Sequence, residues 1–267
     1  MTKGQLLARG RTAEVYAWQD NQVLKLFYEW CPEEWRRREV ETGRRLAVTS
    51  LPTPRLIDQV MVEGRRGILY ERAEGPSMLR LLSSRPWLLI GLARRLAELH
   101  SDIHAQSGAG FGSLRASLQA GIRDSESLPA ETRQEVLERL ERLPDGTSLC
   151  HFDFHPDQVL MTRRGPMIID WMTAFQGPPL ADVARSCVLL TFGEALDTGW
   201  LLRRLINLLR RAFRGSYLRR YLELHPEASM AEFQAWMLPV AVARLQERLP
   251  GEEGPLREFI RGLLQEG

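Results

Sequence analysis

His151-Phe152-Asp153-Phe154-His155-Pro156-Asp157-Gln158-Val159-Leu160, followed by Met167-Ile168-Ile169-Asp170-Trp171, is the densest cluster of unusual residues in the chain. The spacing suits phosphoryl transfer. A carboxylate on a tight loop can accept the proton of an attacking hydroxyl. A side-chain amide five residues later, with a second carboxylate beyond a short hairpin, can hold a divalent cation against phosphates. Hard oxygen ligands of this kind suit Mg2+. Asp153 is therefore the candidate catalytic base, and Gln158 and Asp170 are the candidate metal ligands. Two other readings compete. His151, Asp153 and His155 alternate, so on one strand they would share a face and could ligate zinc. Pro156 stops a strand there, and no nearby His or Cys completes the set. The remaining reading, polar residues that cap a turn, suits His155 alone better than the whole cluster with Asp170.

Outward from this cluster the chain changes character. Before it, the first 30 residues read as short strands: Leu6-Leu7, Glu14–Trp18 and Gln22–Phe27, broken by Gly10 and Asp20-Asn21. Residues 32–47 read as a helix with Pro32 and acids in the first turn and arginines later, ended by Leu51-Pro52-Thr53-Pro54. Arg55–Val62 and Gly67–Tyr70 are further strands. Glu71–Pro76 is a polar link, and a boundary there gives an N-terminal unit over 1–74 and a C-terminal one over 75–267. Helical periodicity marks 86–105, 129–143, 180–192, 198–224, 230–248 and 255–265, with short strands at Ser148–Cys150, Val159–Thr162 and Met167–Asp170. The fold class expected is α+β, a small β-rich part followed by a larger helical one.

Composition narrows the partners. With 267 residues, 44% of them hydrophobic, the chain can bury a sizeable core. A net charge of +2 selects neither nucleic acid nor an anionic membrane, so neither is an expected partner. Cys31, Cys150 and Cys187 are far apart, with no metal-ligand spacing and no disulfide framework. Together with a start lacking the apolar core of a signal peptide, this predicts a cytoplasmic protein. Only Lys3 and Lys25 among the 36 basic residues are lysine, which marks Lys25 as a place where a compact ammonium is needed.

Taken together, these stretches resemble the aminoglycoside phosphotransferase and choline kinase-like family, a branch of the protein-kinase-like fold. The family's loop reads H-G-D-x-H-P-x-N, then I-D-W or I-D-F; here His151–Gln158 and Ile169-Asp170-Trp171 stand in that order. The resemblance implies a two-lobed kinase that uses ATP or GTP and Mg2+ to phosphorylate a hydroxyl of a small molecule. Asp153 matches the base and Asp170 the metal-binding Asp. Ala174–Ala184 matches the continuation in which Asp182 buttresses the loop. Gln22–Phe27 looks like the strand bearing the nucleotide lysine, Lys25, whose carboxylate partner maps to Glu39. Gly10, Arg11 and Thr12 match the turn that covers the phosphates. Glu71 and Ala73 fall in the hinge whose backbone meets the base, and the His100/His104 pair matches a packing feature.

Two positions depart from the pattern. Gln158 replaces Asn and adds a methylene and a torsion to freeze. Phe152 replaces Gly, where a bulky side chain needs ordinary backbone angles and a pocket. They keep open an alternative, a nucleotide-binding pseudokinase or regulatory module with weak or no turnover. No long Ser/Thr-bearing segment follows Asp170, which favours a small acceptor over a peptide. Glu131, Glu135, Glu138 and Glu141 are candidates to line a pocket for a cationic acceptor. In the later helix, Leu202, Leu205, Leu209 and Phe213 share one face, while Arg203, Arg204, Arg210, Arg211 and Arg214 mostly share the other. That arginine face reads as solvated, with an anionic substrate, a nucleic-acid surface or a membrane surface as sharper options.

Overall fold

The computed structural model describes residues 3–19, 21–193, 200–249 and 251–265. Asp20 of the expected Asp20-Asn21 turn, and residues 198–199 of the expected 198–224 helix, lie outside the described residues. The chain forms two compact units. One is Met1–Arg80 with Asp157–Met172; the other is Leu81–Pro156 with Thr173–Gly267. The chain thus leaves the first unit and returns to it, which a single boundary at 74/75 does not describe.

The first unit is built on a five-stranded antiparallel sheet. Its strands are β1 (Leu6–Arg9), β2 (Ala13–Trp18), β3 (Gln22–Phe27), β4 (Leu56–Val62) and β5 (Arg65–Glu71), in the order β1-β2-β3-β5-β4. Side chains alternate between the faces of a strand. On one face Tyr16, Trp18, Leu24, Leu26, Val62 and Leu69 pack together. On the other, Ala13, Phe27 and Ile68 pack against Cys31 and against Val40 of α1 (Glu33–Leu46). Each fully buried aliphatic side chain here contributes about 1.5–3 kcal/mol. Lys25 stands between the buried Leu24 and Leu26, in register with Val15 and Ile68, and so shares the α1 face. α2 (Met78–Ser84) follows. The hairpin of β8 (Val159–Thr162) and β9 (Gly165–Ile168) joins this unit because its edge takes up the link after β5. Met161 N–H donates to Pro76 O (2.8 Å), and Ile168 N–H donates to Pro52 O (2.7 Å). Gly75 is required there: a Cβ would lie 2.2 Å from Met161 O.

The second unit is mostly helical: α3 (Leu89–His104), α4 (Leu114–Arg123), α5 (Ala130–Glu141), α6 (Pro179–Phe192), α7 (Trp200–Leu224), α8 (Met230–Leu245) and α9 (Glu253–Gln265). A small sheet, β6 (Gly112–Ser113), β10 (Phe175–Gly177) and β7 (Ser148–Cys150), carries the chain into the loop at His151. α8 starts with a capping box between Ser229 and Glu232. Among the described residues no helix is long and apolar enough to cross a membrane.

The apolar face expected of α7 is buried only in part. Phe213, Tyr217 and Tyr221 form its buried stripe, but Leu202 and Leu205 are about half exposed. Periodicity places residues on one face without saying what covers it. The α3–α7 contacts of His100 with Tyr217, His104 with Tyr221 and Glu98 with Arg220 all lie in the later half of α7.

Candidate active site

In the first unit, β3 and α1 bring Lys25 Nζ to 2.7 Å from Glu39 Oε1, and the hairpin brings Asp170 Oδ1 to 3.4 Å from the same ammonium. Lys25 is on a strand held on both sides, and Glu39 is fixed by its neighbour Val40 in the core. Tyr70 on β5 donates its O–H to Glu39 Oε1 (3.0 Å). Burial alone would push the Lys25 pKa down, but Glu39 and then Asp170 outweigh it, so the ammonium is held above its usual range. Burial, reinforced by the Glu39 charge, pushes the Tyr70 phenol well up and keeps it a donor. Asp170 differs from its partners: its side chain is 45% exposed, against 7% for Glu39. It also adopts φ +60°, a left-handed conformation that Asp tolerates better than most residues.

The other predicted residues of this unit fall as follows. Gly10 N–H donates to Ala13 O (2.9 Å), closing the β1–β2 turn that also holds Arg11 and Thr12. Thr12 donates its hydroxyl to the Met172 sulfur (3.6 Å), which ties that turn to the segment just after Asp170. Glu71 ends β5; its N–H donates to Arg55 O, and its carboxylate lies 3.5 Å from Arg55 and 3.5 Å from Arg164. Among the described residues no hydrogen bond engages Ala73. Gln158 closes a 3-10 turn, Pro156–Gln158, and its carbonyl accepts from Ile169 N–H (2.9 Å), so the amide-bearing residue is pinned beside the Asp170 segment.

In the second unit, β7 ends at Cys150 and the residues from His151 to His155 form a turn. His151, Asp153 and His155 therefore do not share a strand face, and the zinc reading loses its basis. The turn hangs on Asp182, in the first turn of α6. Asp182 Oδ2 accepts from His151 N–H (2.6 Å), and Oδ1 accepts from Phe152 N–H (2.9 Å). His151 Nδ1 in turn accepts from Asp153 N–H (3.3 Å), and its carbonyl accepts from the Thr173 hydroxyl (2.9 Å). Asp153 itself stays 29% exposed, with His155 Nε2 3.8 Å away.

Phe152 overturns its expectation. Its φ is +61°, the conformation a glycine would take, at a cost of about 1–2 kcal/mol for an L side chain. The surroundings hold it there. Asp182 takes its N–H, Arg185 Nε donates to its carbonyl (3.3 Å), and its ring meets Phe175 edge-on at 5.8 Å.

Behind the turn lies a buried group: His100 and His104 of α3, Asp182 of α6, and Tyr217 and Tyr221 of α7. Tyr217 O–H reaches His100 Nδ1 (2.5 Å) and Tyr221 O–H reaches His104 Nδ1 (2.7 Å). The two Nε2 atoms lie 3.0 and 3.2 Å from Asp182 Oδ2. Burial, with His100 next to it, lowers the His104 pKa to about 4, so that ring is neutral. Burial pushes the Asp182 carboxyl up, but the flanking histidines outweigh it and hold it well below the usual range. Two His and one Asp within reach of one point could hold a metal. Here both second ring nitrogens are engaged by tyrosines, and the Asp also carries two backbone N–H groups of the loop. The arrangement supports the turn that carries Asp153.

The acids of α5 are used locally among exposed side chains. Glu135 pairs with Arg139 at 2.7 Å, and Glu141 accepts from Gln119 at 2.6 Å. Sequence reasoning missed Tyr70 and Arg185. Tyr70 sits in a strand whose pairing with β3 sets it near Lys25, and an arginine one turn after Asp182 was the available signal for Arg185.

The family model described as "Phosphotransferase enzyme family" matches residues 3–233. No match is found among curated protein sequences. Three similar solved structures are a type VIII aminoglycoside-3'-phosphotransferase, a ternary complex of the aminoglycoside phosphotransferase APH(2'')-IIa with streptomycin and ATP, and a choline kinase from Cryptosporidium parvum Iowa II. The first has 20% identity, covering 91% of this chain and 90% of that one, with a TM-score of 0.62. The second has 15%, 99%, 91% and 0.61, and the third 12%, 98%, 87% and 0.57. The fold is protein-kinase-like. With most of its length matched by that family model, the chain belongs to the phosphotransferase enzyme family.

Proposed function

We propose that the protein transfers the γ-phosphoryl group of ATP or GTP to a hydroxyl of a small molecule. The observation that carries this reading is the Lys25–Glu39–Asp170 arrangement: an ammonium fixed by one buried carboxylate and facing a second, exposed one. Lys25 holds the α- and β-phosphates, and Glu39 with Tyr70 fixes where its charge lies. The Gly10–Thr12 turn covers the phosphates, and the backbone around Glu71 and Ala73 meets the base. Asp170 and Gln158 offer only oxygen ligands, Asp170 with an exposed carboxylate, and this donor set fits Mg2+. When bound, the cation neutralises charge on the phosphates. Asp153 positions the acceptor hydroxyl and takes its proton; Asp182 and His151 fix the loop that presents it. Positioning and charge neutralisation supply most of the acceleration.

The names of the similar structures support a hydroxylated acceptor: aminoglycosides for two of them and choline for the third. The short stretch between Asp170 and α6 supports a small molecule over a peptide. The test is a panel of hydroxylated amines and metabolites, read by coupled ADP release, for wild type and Asp153→Ala. Turnover with at least one acceptor, lost in the variant, is expected. Turnover that the variant keeps would overturn the assignment. Nucleotide binding with no turnover on any acceptor would favour the regulatory-module alternative.

A further inference from the structure

The turn that presents Asp153 carries a phenylalanine in a left-handed conformation, and both ends of that residue are clamped from one face of α6. Asp182 takes the Phe152 N–H and Arg185, three residues later, takes its carbonyl. Residues three apart lie on the same side of a helix, so the clamp is a single surface. The Arg185 guanidinium also stacks 5.3 Å over the Phe152 ring. A cation over an aromatic face is attracted to it, so the arginine recognises the very side chain that makes the turn strained.

Arg185 is 5% exposed, and its charge is answered through a chain of alternating ions. It pairs with Glu247. The other Glu247 oxygen takes Arg244 at 2.5 Å, and Arg244 donates to both oxygens of Glu252 at 3.0–3.2 Å. Arg244 and Glu252 are 7% and 6% exposed. Burial pushes the Glu247 carboxyl up, but Arg185 and Arg244 outweigh it, so it stays ionised. Such a ladder is poor material for stability alone, because apolar side chains of equal volume usually serve a core as well or better. What it supplies is direction: one end is anchored where α8 meets α9, and the other ends on the carbonyl just before Asp153.

We propose that Arg185 is a positioning residue. Its guanidinium, aligned by the Glu247–Arg244–Glu252 ladder, holds Phe152 in the glycine-like conformation that presents Asp153. The inference rests on the reading of Asp153 as the base. Phe152 and Arg185 are then a compensating pair: a glycine at 152 would take the same backbone angles without help. It follows that the need for Arg185 depends on what occupies position 152.

The experiment is a double-mutant cycle of Arg185→Ala and Phe152→Gly, read by nucleotide turnover and by hydrogen exchange of the peptide containing residues 151–154. Arg185→Ala is expected to lower kcat about 30-fold, as small misplacements of reacting groups do, with KM for Mg·ATP changed less than about 2-fold. Its loop amides exchange faster. Adding Phe152→Gly restores at least about tenfold of the lost kcat and slows that exchange. An Arg185 variant with unchanged kcat and exchange, or a loss that Phe152→Gly does not restore, overturns the proposal and leaves a merely structural arginine. If Arg185→Ala does not fold, Glu247→Gln tests the same ladder. A several-fold loss of kcat repaired by Phe152→Gly supports the proposal, and an unrepaired loss or none contradicts it. Should wild-type turnover prove indifferent to Asp153→Asn, the reading of Asp153 fails instead. The exchange measurement then still decides whether Arg185 holds the turn.

Discussion

Two clusters of ionisable side chains lie in the two units. In the first, Lys25 and Glu39 are paired and Asp170 leaves 45% of its side chain open to solvent. In the other, the side chains of His100, His104 and Asp182 are at most 1% exposed; tyrosine hydroxyls engage the ring Nδ1 atoms, and backbone N–H groups of the 151–155 turn donate to the carboxylate. By residue type the buried cluster resembles a metal centre more closely than the open one does. The difference teaches that a buried, internally bonded cluster spends its polar groups on holding the chain. The open cluster keeps one carboxylate facing solvent as well as its ammonium partner.

Substitutions in the two clusters should therefore fail differently. Asp170→Asn removes a charge that faces solvent, so phosphoryl transfer is expected to fall about a thousandfold. Its melting temperature should stay close to wild type. Asp182→Asn should do the reverse first. An amide cannot answer two backbone N–H groups and two ring nitrogens as a carboxylate does, so urea unfolding should show a loss of about 3 kcal/mol or more. If the activity loss and the stability loss exchange places, the comparison is wrong.

Acid sharpens it next. The His104 pKa is about 4 in the fold, against an ordinary 6.5. Between these values the unfolded chain holds the extra proton, so stability is intact above pH 6.5 and falls as the pH drops toward 4. The loss amounts to about 3 kcal/mol in all. Asp182, also depressed, adds to the loss at lower pH still. Thermal melts from pH 7.5 to 4 should show this slope, and His104→Gln should flatten it. Smallest is Tyr70→Phe, which removes one hydrogen bond to a buried carboxylate and should cost about 1–2 kcal/mol in urea unfolding.

What is legible in the sequence follows the same division. Asp153 and Asp170 stand out beside apolar, strand-like runs and Lys25 within one, and a charged residue there needs a reason. The strands of the first unit follow from alternation and turn residues, and most of the helices from their period. The unread parts depend on contacts between distant positions. Tyr70 reaches Glu39 across 31 residues, and Arg185 reaches Phe152 across 33. Neither partner is marked in the other's neighbourhood. The conformation of Phe152 escapes prediction because a backbone angle is set by the groups that clamp it, not by the residue alone. The exposure of Leu202 and Leu205 escapes it because a shared face does not reveal whether anything covers it. The return of Asp157–Met172 to the first unit depends on hydrogen bonds to Pro52 and Pro76, which no local pattern announces.

The central claim is a division of labour: Lys25 and Asp170 hold the nucleotide and its cation, and Asp153 serves the acceptor. Calorimetric titration of Mg·ATP into wild type, Asp153→Asn and Asp170→Asn tests it most directly. Asp153→Asn should bind as wild type does, while Asp170→Asn should bind at least about tenfold more weakly and lose its dependence on Mg2+. Equal binding by all three proteins, or no binding by wild type, would contradict the account.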